Sequence, residues 1–182
     1  MLKCLNAKIL RCKGFTLIEL LTSIFIIIVI AGVVFANYRQ GGQQFALQRS
    51  ANKLAQDIRR AQAMAMGAKE YQGSVPPRYG VELTTTNQNY YILFADINDN
   101  GTYQSNPDLE VERIFLETGV RIAELFTISP QTDLWIAFKP PDPTTEIRDP
   151  GGPRSIGIIQ LIGANNQTKT ITVNAAGLIE VQ

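Results

Sequence analysis

An apolar run from Phe15 to Ala36, preceded by a basic segment and holding a single acid, Glu19, limits this chain more than any other feature. The run is 22 residues long, about 33 Å as a helix at ~1.5 Å per residue, enough to cross a hydrocarbon core of ~30 Å. Lys3, Lys8, Arg11 and Lys13 precede it with no acid among them. The excess of positive charge then keeps the N-terminus cytoplasmic and sends the rest of the chain across. A secretory signal peptide shares the basic start, but its apolar region is only ~7–15 residues and Glu19 would interrupt it. A generic signal-anchor helix explains the span and leaves Gly14 and Glu19 without a reason. Cys4 and Cys12 lie before the run rather than after it, which is the wrong order for a lipoprotein. A carboxylate in hydrocarbon is costly without a partner, so Glu19 marks a functional position.

The residues around that acid narrow the reading. Gly14-Phe15-Thr16-Leu17-Ile18-Glu19 resembles the processing site of type IV pilins and type II secretion pseudopilins. The resemblance implies a leader, residues 1–14, that a prepilin peptidase removes by cutting between Gly14 and Phe15, with methylation at Phe15. It implies that Glu19 pairs with the N-terminal amine of a neighbouring subunit during assembly. Electrostatics agrees, because cleavage would create an ammonium four residues from the carboxylate in a medium where neither ion is stable alone. Pairing of Glu19 with its own N-terminus, or with headgroups, is the alternative. The implied partners are other pilin or pseudopilin subunits, the peptidase, an inner-membrane assembly platform, and the lipid bilayer before assembly. The implied location is the bacterial inner membrane, single-pass with the N-terminus cytoplasmic, and then a pilus or pseudopilus filament.

Composition removes several other functions. Both cysteines fall within residues 1–14 and the chain has no histidine. A chain cut after Gly14 would therefore hold no disulfide, no thiolate metal site and none of the commonest general base. The whole chain has 17 basic and 16 acidic residues; the leader removes four basic ones, leaving 13 against 16, a balance of −3. Nucleic-acid binding by phosphate neutralisation wants the opposite excess, clustered.

After the apolar run, Gly41-Gly42 is a weak point in any helix, about 1 kcal/mol per glycine relative to alanine, where a kink, local melting or a break is expected. Gln43 to Lys69 reads as helix again. Leu47, Ala51, Leu54, Ile58, Ala61 and Ala65 form one apolar stripe at three- and four-residue steps. Arg49, Asn52, Lys53, Gln56, Asp57, Arg59 and Arg60 fall on the other faces, and Lys53 can pair with Asp57 across a turn. Gly67 and Gly73-Ser74-Val75-Pro76-Pro77 end the helix. Short β runs follow at 79–83, 90–94, 113–116, 134–138, 156–161, 168–173 and 178–181, each rich in β-branched or aromatic residues. Residues 84–89 and Asn174-Ala175-Ala176-Gly177 read as hairpin turns. Five prolines between Lys139 and Pro153 predict an exposed, semi-rigid loop there.

Helix first and strands after give an α+β fold. The expected plan is a long N-terminal helix, one half transmembrane and one half amphipathic, packed on an antiparallel β-sheet domain in the pilin-like manner. Its segments are 1–14 leader, 15–36 transmembrane and assembly helix, 37–73 amphipathic continuation, and 74–182 extracytoplasmic β-rich domain. The short Ala/Gln/Arg-rich helix and the closing Ile171–Val181 segment look like the GspH/FimT group of minor pilins and pseudopilins.

Three further constellations bear on function. Asp96-Ile97-Asn98-Asp99-Asn100-Gly101-Thr102 resembles the first half of a calcium loop, with Asp96, Asn98, Asn100 and Asp108 as candidate ligands for a structural Ca²⁺. The twelfth position is Pro107 rather than a bidentate Glu, so a polar turn with Asx-type hydrogen bonds and no cofactor is the favoured reading. Some FimT-like minor pilins are DNA receptors, which directs attention to Arg59, Arg60, Arg113, Arg121, Arg148 and Arg154. Residues 155–182 hold one cation, Lys169, so nucleic acid is not expected as a partner. Trp135 is expected in the core. Asp108, Glu110 and Glu112 alternate and read as a solvated edge. No Ser/His/Asp set, P-loop or paired carboxylate supports an enzyme. The expected function is a structural subunit, a minor pseudopilin or minor pilin of a type II secretion or type IV pilus filament. A DNA-binding or adhesive minor pilin used in DNA uptake or surface attachment is the alternative.

Overall fold

The computed structural model describes residues 15–140 and 144–182, and for residues 36–41 the backbone alone. Two compact units divide the chain, Met1–Arg39 and Gln40–Gln182. One helix, α1 (Leu17–Met66), contributes to both. Its backbone is helical through Gly41 and Gly42, so the expected weak point does not break it. Within the first unit, Leu17–Phe35 is a 19-residue span of mean hydropathy 2.8, long and apolar enough to cross a membrane. Nothing among the described residues covers it: Phe15, Leu17, Phe25 and Phe35 are all exposed.

In the second unit the outer half of α1 joins eleven strands. These are β1 (Arg78–Thr84), β2 (Tyr90–Asp96), β3 (Leu109–Phe115), β4 (Arg121–Phe126), β5 (Pro130–Gln131), β6 (Asp133–Lys139), β7 (Thr144–Asp149), β8 (Gly152–Arg154), β9 (Ile156–Ile162), β10 (Thr168–Asn174) and β11 (Ile179–Val181). They form two antiparallel sheets rather than one, in the orders β3-β2-β1-β6-β7-β8 and β11-β10-β9-β4-β5. The fold is α+β, as its order of elements predicts.

All six residues of the helical stripe are buried, and they share one core with the inner faces of both sheets. Leu54 and Ile58 are fully buried, each contributing about 1.5–3 kcal/mol through the area withdrawn from water. The alanines keep the stripe shallow. Gly157 does the same between the sheets, since a Cβ there would meet Ile147 at 3.1 Å and Leu134 at 3.3 Å. Polar ties fix the helix to both sheets: Tyr91 donates to Asp57 at 2.6 Å, and Arg59 donates to the Ile179 carbonyl at 2.9 Å.

Several expectations are corrected here. Asp57 is buried and receives the Tyr91 hydroxyl; its nearest cation is Arg60 at 3.9 Å, not Lys53. The proline-rich stretch is not a loop throughout, because its prolines leave Thr144–Asp149 free of them. That window forms β7, inside the six-stranded sheet with alternating burial. Pro153 sits in β8 at the edge of that sheet, where no ladder donor is missed. Strand β4 had no periodic signal because a bulge between Ile122 and Glu124 puts its buried residues, Ile122 and Leu125, three apart. Trp135 is half-buried on the face of β6 opposite the core residues Leu134, Ile136 and Phe138. Asp108, Glu110 and Glu112 share no solvated face. Asp108 is buried, Glu110 pairs with Arg113, and a bulge in the β2–β3 pairing turns Glu112 toward Arg60 of the helix.

Candidate processing and assembly site

Gly14 and the rest of the expected leader lie outside the described residues. The site begins with Phe15 and Thr16, which are not helical, and α1 starts at Leu17. Thr16 occupies the N-cap: its carbonyl accepts the amides of Glu19 (3.1 Å) and Leu20 (3.2 Å), and its hydroxyl oxygen accepts the Glu19 amide at 3.3 Å. The same hydroxyl lies 3.4 Å from Glu19 Oε2, to which it donates. This is a variant of the capping box, in which a Ser or Thr cap and an acid three residues on satisfy each other's polar groups. The Thr-x-x-Glu spacing is the sequence signal of this cap. One turn further, Thr22 and Ser23 donate to the Glu19 carbonyl at 3.0 and 2.7 Å. The Glu19 side chain is exposed, with Thr16 as its partner among the described residues and capacity for a further donor.

The four candidate calcium ligands, Asp96, Asn98, Asn100 and Asp108, come together at the loop between β2 and β3. Asp96 and Asp108 are buried. Asp96 accepts the amides of Asn100 (3.4 Å) and Gly101 (2.7 Å), and Asp108 those of Ile97 and Gln104, both at 2.9 Å. Asn98 and Asn100 each accept the amide two residues on, at 3.1 and 2.8 Å. Those two bonds are Asx turns. Burial pushes the Asp96 carboxyl above the usual carboxylate range, against the opposing pull of the Gly101 amide. Among the described residues no group of three or more acidic side chains converges on a point that could hold a metal. In this arrangement all four side chains accept amides of the loop itself.

Charge–charge contacts hold that loop against the outer face of the six-stranded sheet. Asp99 lies 2.7 Å from Arg78 and 2.6 Å from Lys139, and the hydrogen bond from Lys139 is the main reason its carboxyl is held below the usual range. Arg78 also pairs with Glu146, which takes Arg148 as well. The other arginines of interest for nucleic acid are similarly committed. Arg60 binds Glu112, Arg113 binds Glu110, Arg154 binds Asp149, and Arg59 binds a backbone carbonyl. Arg121 is exposed and makes no ion pair among the described residues. Guanidinium groups answered by carboxylates leave little uncompensated charge for a phosphate backbone.

Comparison with known families bears on the N-terminal site. A family model for the prokaryotic N-terminal methylation motif matches residues 9–35. The chain carries that motif. The matched segment takes in Gly14, Phe15, Glu19 and all of the membrane-grade span as far as Phe35. The motif is typical of type IV pilins and pseudopilins, and it supports a pilin-like, processed subunit that assembles with others of its kind and is anchored by its apolar helix. No curated protein and no solved structure matches the chain.

Proposed function

We propose that this protein is a minor pseudopilin or minor pilin, a structural subunit of a type II secretion or type IV pilus filament. The observation that carries the reading is the methylation motif at residues 9–35, laid over an exposed apolar helix with one acid in its first turn. In this reading the precursor sits in the inner membrane with its N-terminus cytoplasmic and its β-rich unit outside. Prepilin peptidase cuts between Gly14 and Phe15, and Phe15 is methylated. The new ammonium at Phe15 and the Glu19 carboxylate then form an ion pair between neighbouring subunits. Each added subunit satisfies a charge that would otherwise stand alone in a low dielectric, at a cost of several kcal/mol. The Thr16 hydroxyl gives Glu19 a single donor before assembly, a partial match that leaves the carboxylate's other lone pairs for the amine.

The test is Glu19→Ala. Immunoblots of the cell membrane should show normal cleavage, and sheared filaments should show at least a tenfold loss of the variant. Wild-type incorporation of Glu19→Ala would remove the assembly role. Mass spectrometry of the native protein decides the processing step, which requires an N-terminal methylated Phe15.

A further inference from the structure

The triplet Asn-x-Ser/Thr occurs twice in the chain, as Asn100-Gly101-Thr102 and as Asn166-Gln167-Thr168. Such a triplet can accept an N-linked glycan where the asparagine amide and the hydroxyl two residues on are both free at the surface. The structure separates the two. Asn100 is half-buried, and its side-chain oxygen accepts both the amide and the hydroxyl of Thr102, each at 2.8 Å. That triplet is closed on itself. Asn166, Gln167 and Thr168 are all exposed at the tip of the β9–β10 hairpin. Among the described residues, neither the Asn166 side chain nor the Thr168 hydroxyl has a hydrogen-bond partner. Backbone bonds hold this tip instead: the Asn166 amide donates to the Gly163 carbonyl at 3.0 Å, and the Gly163 amide to the Gln167 carbonyl at 2.8 Å. Asn166 sits at φ +59°, a left-handed conformation that asparagine tolerates.

We propose that Asn166 carries an N-linked glycan. From the filament reading above the proposal takes only that the second unit lies outside the cell membrane. In the transfer, Asn166 Nδ2 attacks the anomeric carbon of an oligosaccharide carried on a polyprenyl diphosphate. The N–C bond forms as the C–O bond to the diphosphate breaks. The amide proton passes to a base of the transferring enzyme, and polyprenyl diphosphate leaves. A second observation points to the same ligand class. Asn166 borders two clefts, of about 500 and about 280 Å³. Gln44, Phe45 and Gln48 of α1 and Lys169 of β10 line the larger, and Asn89 and Arg121 the smaller. No carboxylate lines either. Side-chain amides donate and accept at once, which suits neighbouring sugar hydroxyls. Phe45 is 65 % exposed, and its ring offers an apolar surface to the C–H face of a sugar. The first sugars beyond Asn166 thus have a polar bed on the same unit.

Mass spectrometry of the full chain, purified from the cells that make it, tests this. Trypsin releases Asn166 within residues 155–169 and Asn100 within residues 79–113. The expected result is saccharide on the first peptide and none on the second. A glycosylamidase should release that saccharide and leave aspartate at position 166. Asn166→Gln and Thr168→Ala should each abolish the glycopeptide, whereas Thr168→Ser, which keeps the hydroxyl, should retain it. All three variants should keep the melting temperature of the unglycosylated protein, because both side chains lie outside the core. A chain that is cut after Gly14, yet yields residues 155–169 at their unmodified mass, overturns the glycan and leaves the filament reading intact. Saccharide on Asn100, or saccharide that survives Asn166→Gln, overturns the assignment to Asn166. Saccharide on Asn166 of a chain that keeps residues 1–14 upholds the glycan and overturns the filament reading.

Discussion

Glu82 shows how a single residue can acquire a property its type does not announce. It stands in β1 on the outer face of the six-stranded sheet, opposite Trp135 of β6, whose indole N–H donates to it at 3.1 Å. Burial pushes its carboxyl up to about 7, opposed by the Trp135 hydrogen bond and Arg113 and aided by Asp133 and Glu110. The raised value means that the folded state holds the proton more tightly than the unfolded chain. Stability from this group is therefore complete below about 4.5 and is lost as pH rises to about 7. With solvent screening allowed for, the loss is on the order of 1–2 kcal/mol. The chain has one tryptophan and no histidine, so the indole reports this carboxyl with no imidazole in the same window. Fluorescence of the detergent-solubilised protein should titrate with a midpoint near 7, and Glu82→Gln should abolish that transition. A titration that survives the substitution would assign it to another group. Nothing in the sequence around Glu82 disclosed this, because the effect depends on which strand lies next to β1. The Thr16–Glu19 contact is the opposite case, since it joins residues three apart in the chain.

At the scale of elements, what could be read depended on whether the residues deciding a feature were close in the chain. The α1 stripe was fully legible because helical periodicity is local, and every one of its six residues is in the core. Strand β4 was not, since its bulge answers to the register with β9. Strand β7 occupies the proline-free stretch Thr144–Asp149, which a high proline content over residues 139–153 conceals. The C-terminus of α1 is an intermediate case. Gly67 was the expected stop, yet the left-handed residue is Ala68, at φ +43°. The Lys69 amide closes back on the Met64 carbonyl at 3.0 Å in a Schellman-type turn. Alanine in that region is strained by roughly 1–2 kcal/mol, while glycine loses part of that advantage through the freedom it gains in the unfolded chain. Ala68→Gly should therefore stabilise the protein by about 0.5–1 kcal/mol, a rise of roughly 1–4 °C in melting temperature for a chain of this size. A fall in melting temperature would show that the turn is held for another reason.

Across the whole second unit, each sheet edge is short, charged or interrupted. Strands β5, β8 and β11 have two or three residues, and β3 carries Glu110, Glu112 and Arg113. Such edges resist pairing with another chain. The unit is closed on its outer face by the loop between β2 and β3, and what holds that loop decides whether a metal has any role. Its side-chain oxygens are directed to its own amides, and Asp99 ties it to Arg78 and Lys139. Arg78 is only 11 % exposed and lies between Asp99 and Glu146, so its removal would leave each carboxylate with a single cation, Lys139 for Asp99 and Arg148 for Glu146. Adding a chelator should leave the melting curve unchanged, whereas Arg78→Ala should cost about 1–3 kcal/mol through the charged hydrogen bonds it removes. A double-mutant cycle of Arg78→Ala with Glu146→Gln should show a coupling of the same sign, because the two groups are direct partners. A chelator-induced fall in melting temperature, reversed by calcium, would transfer the loop's support from these ion pairs to a bound cation.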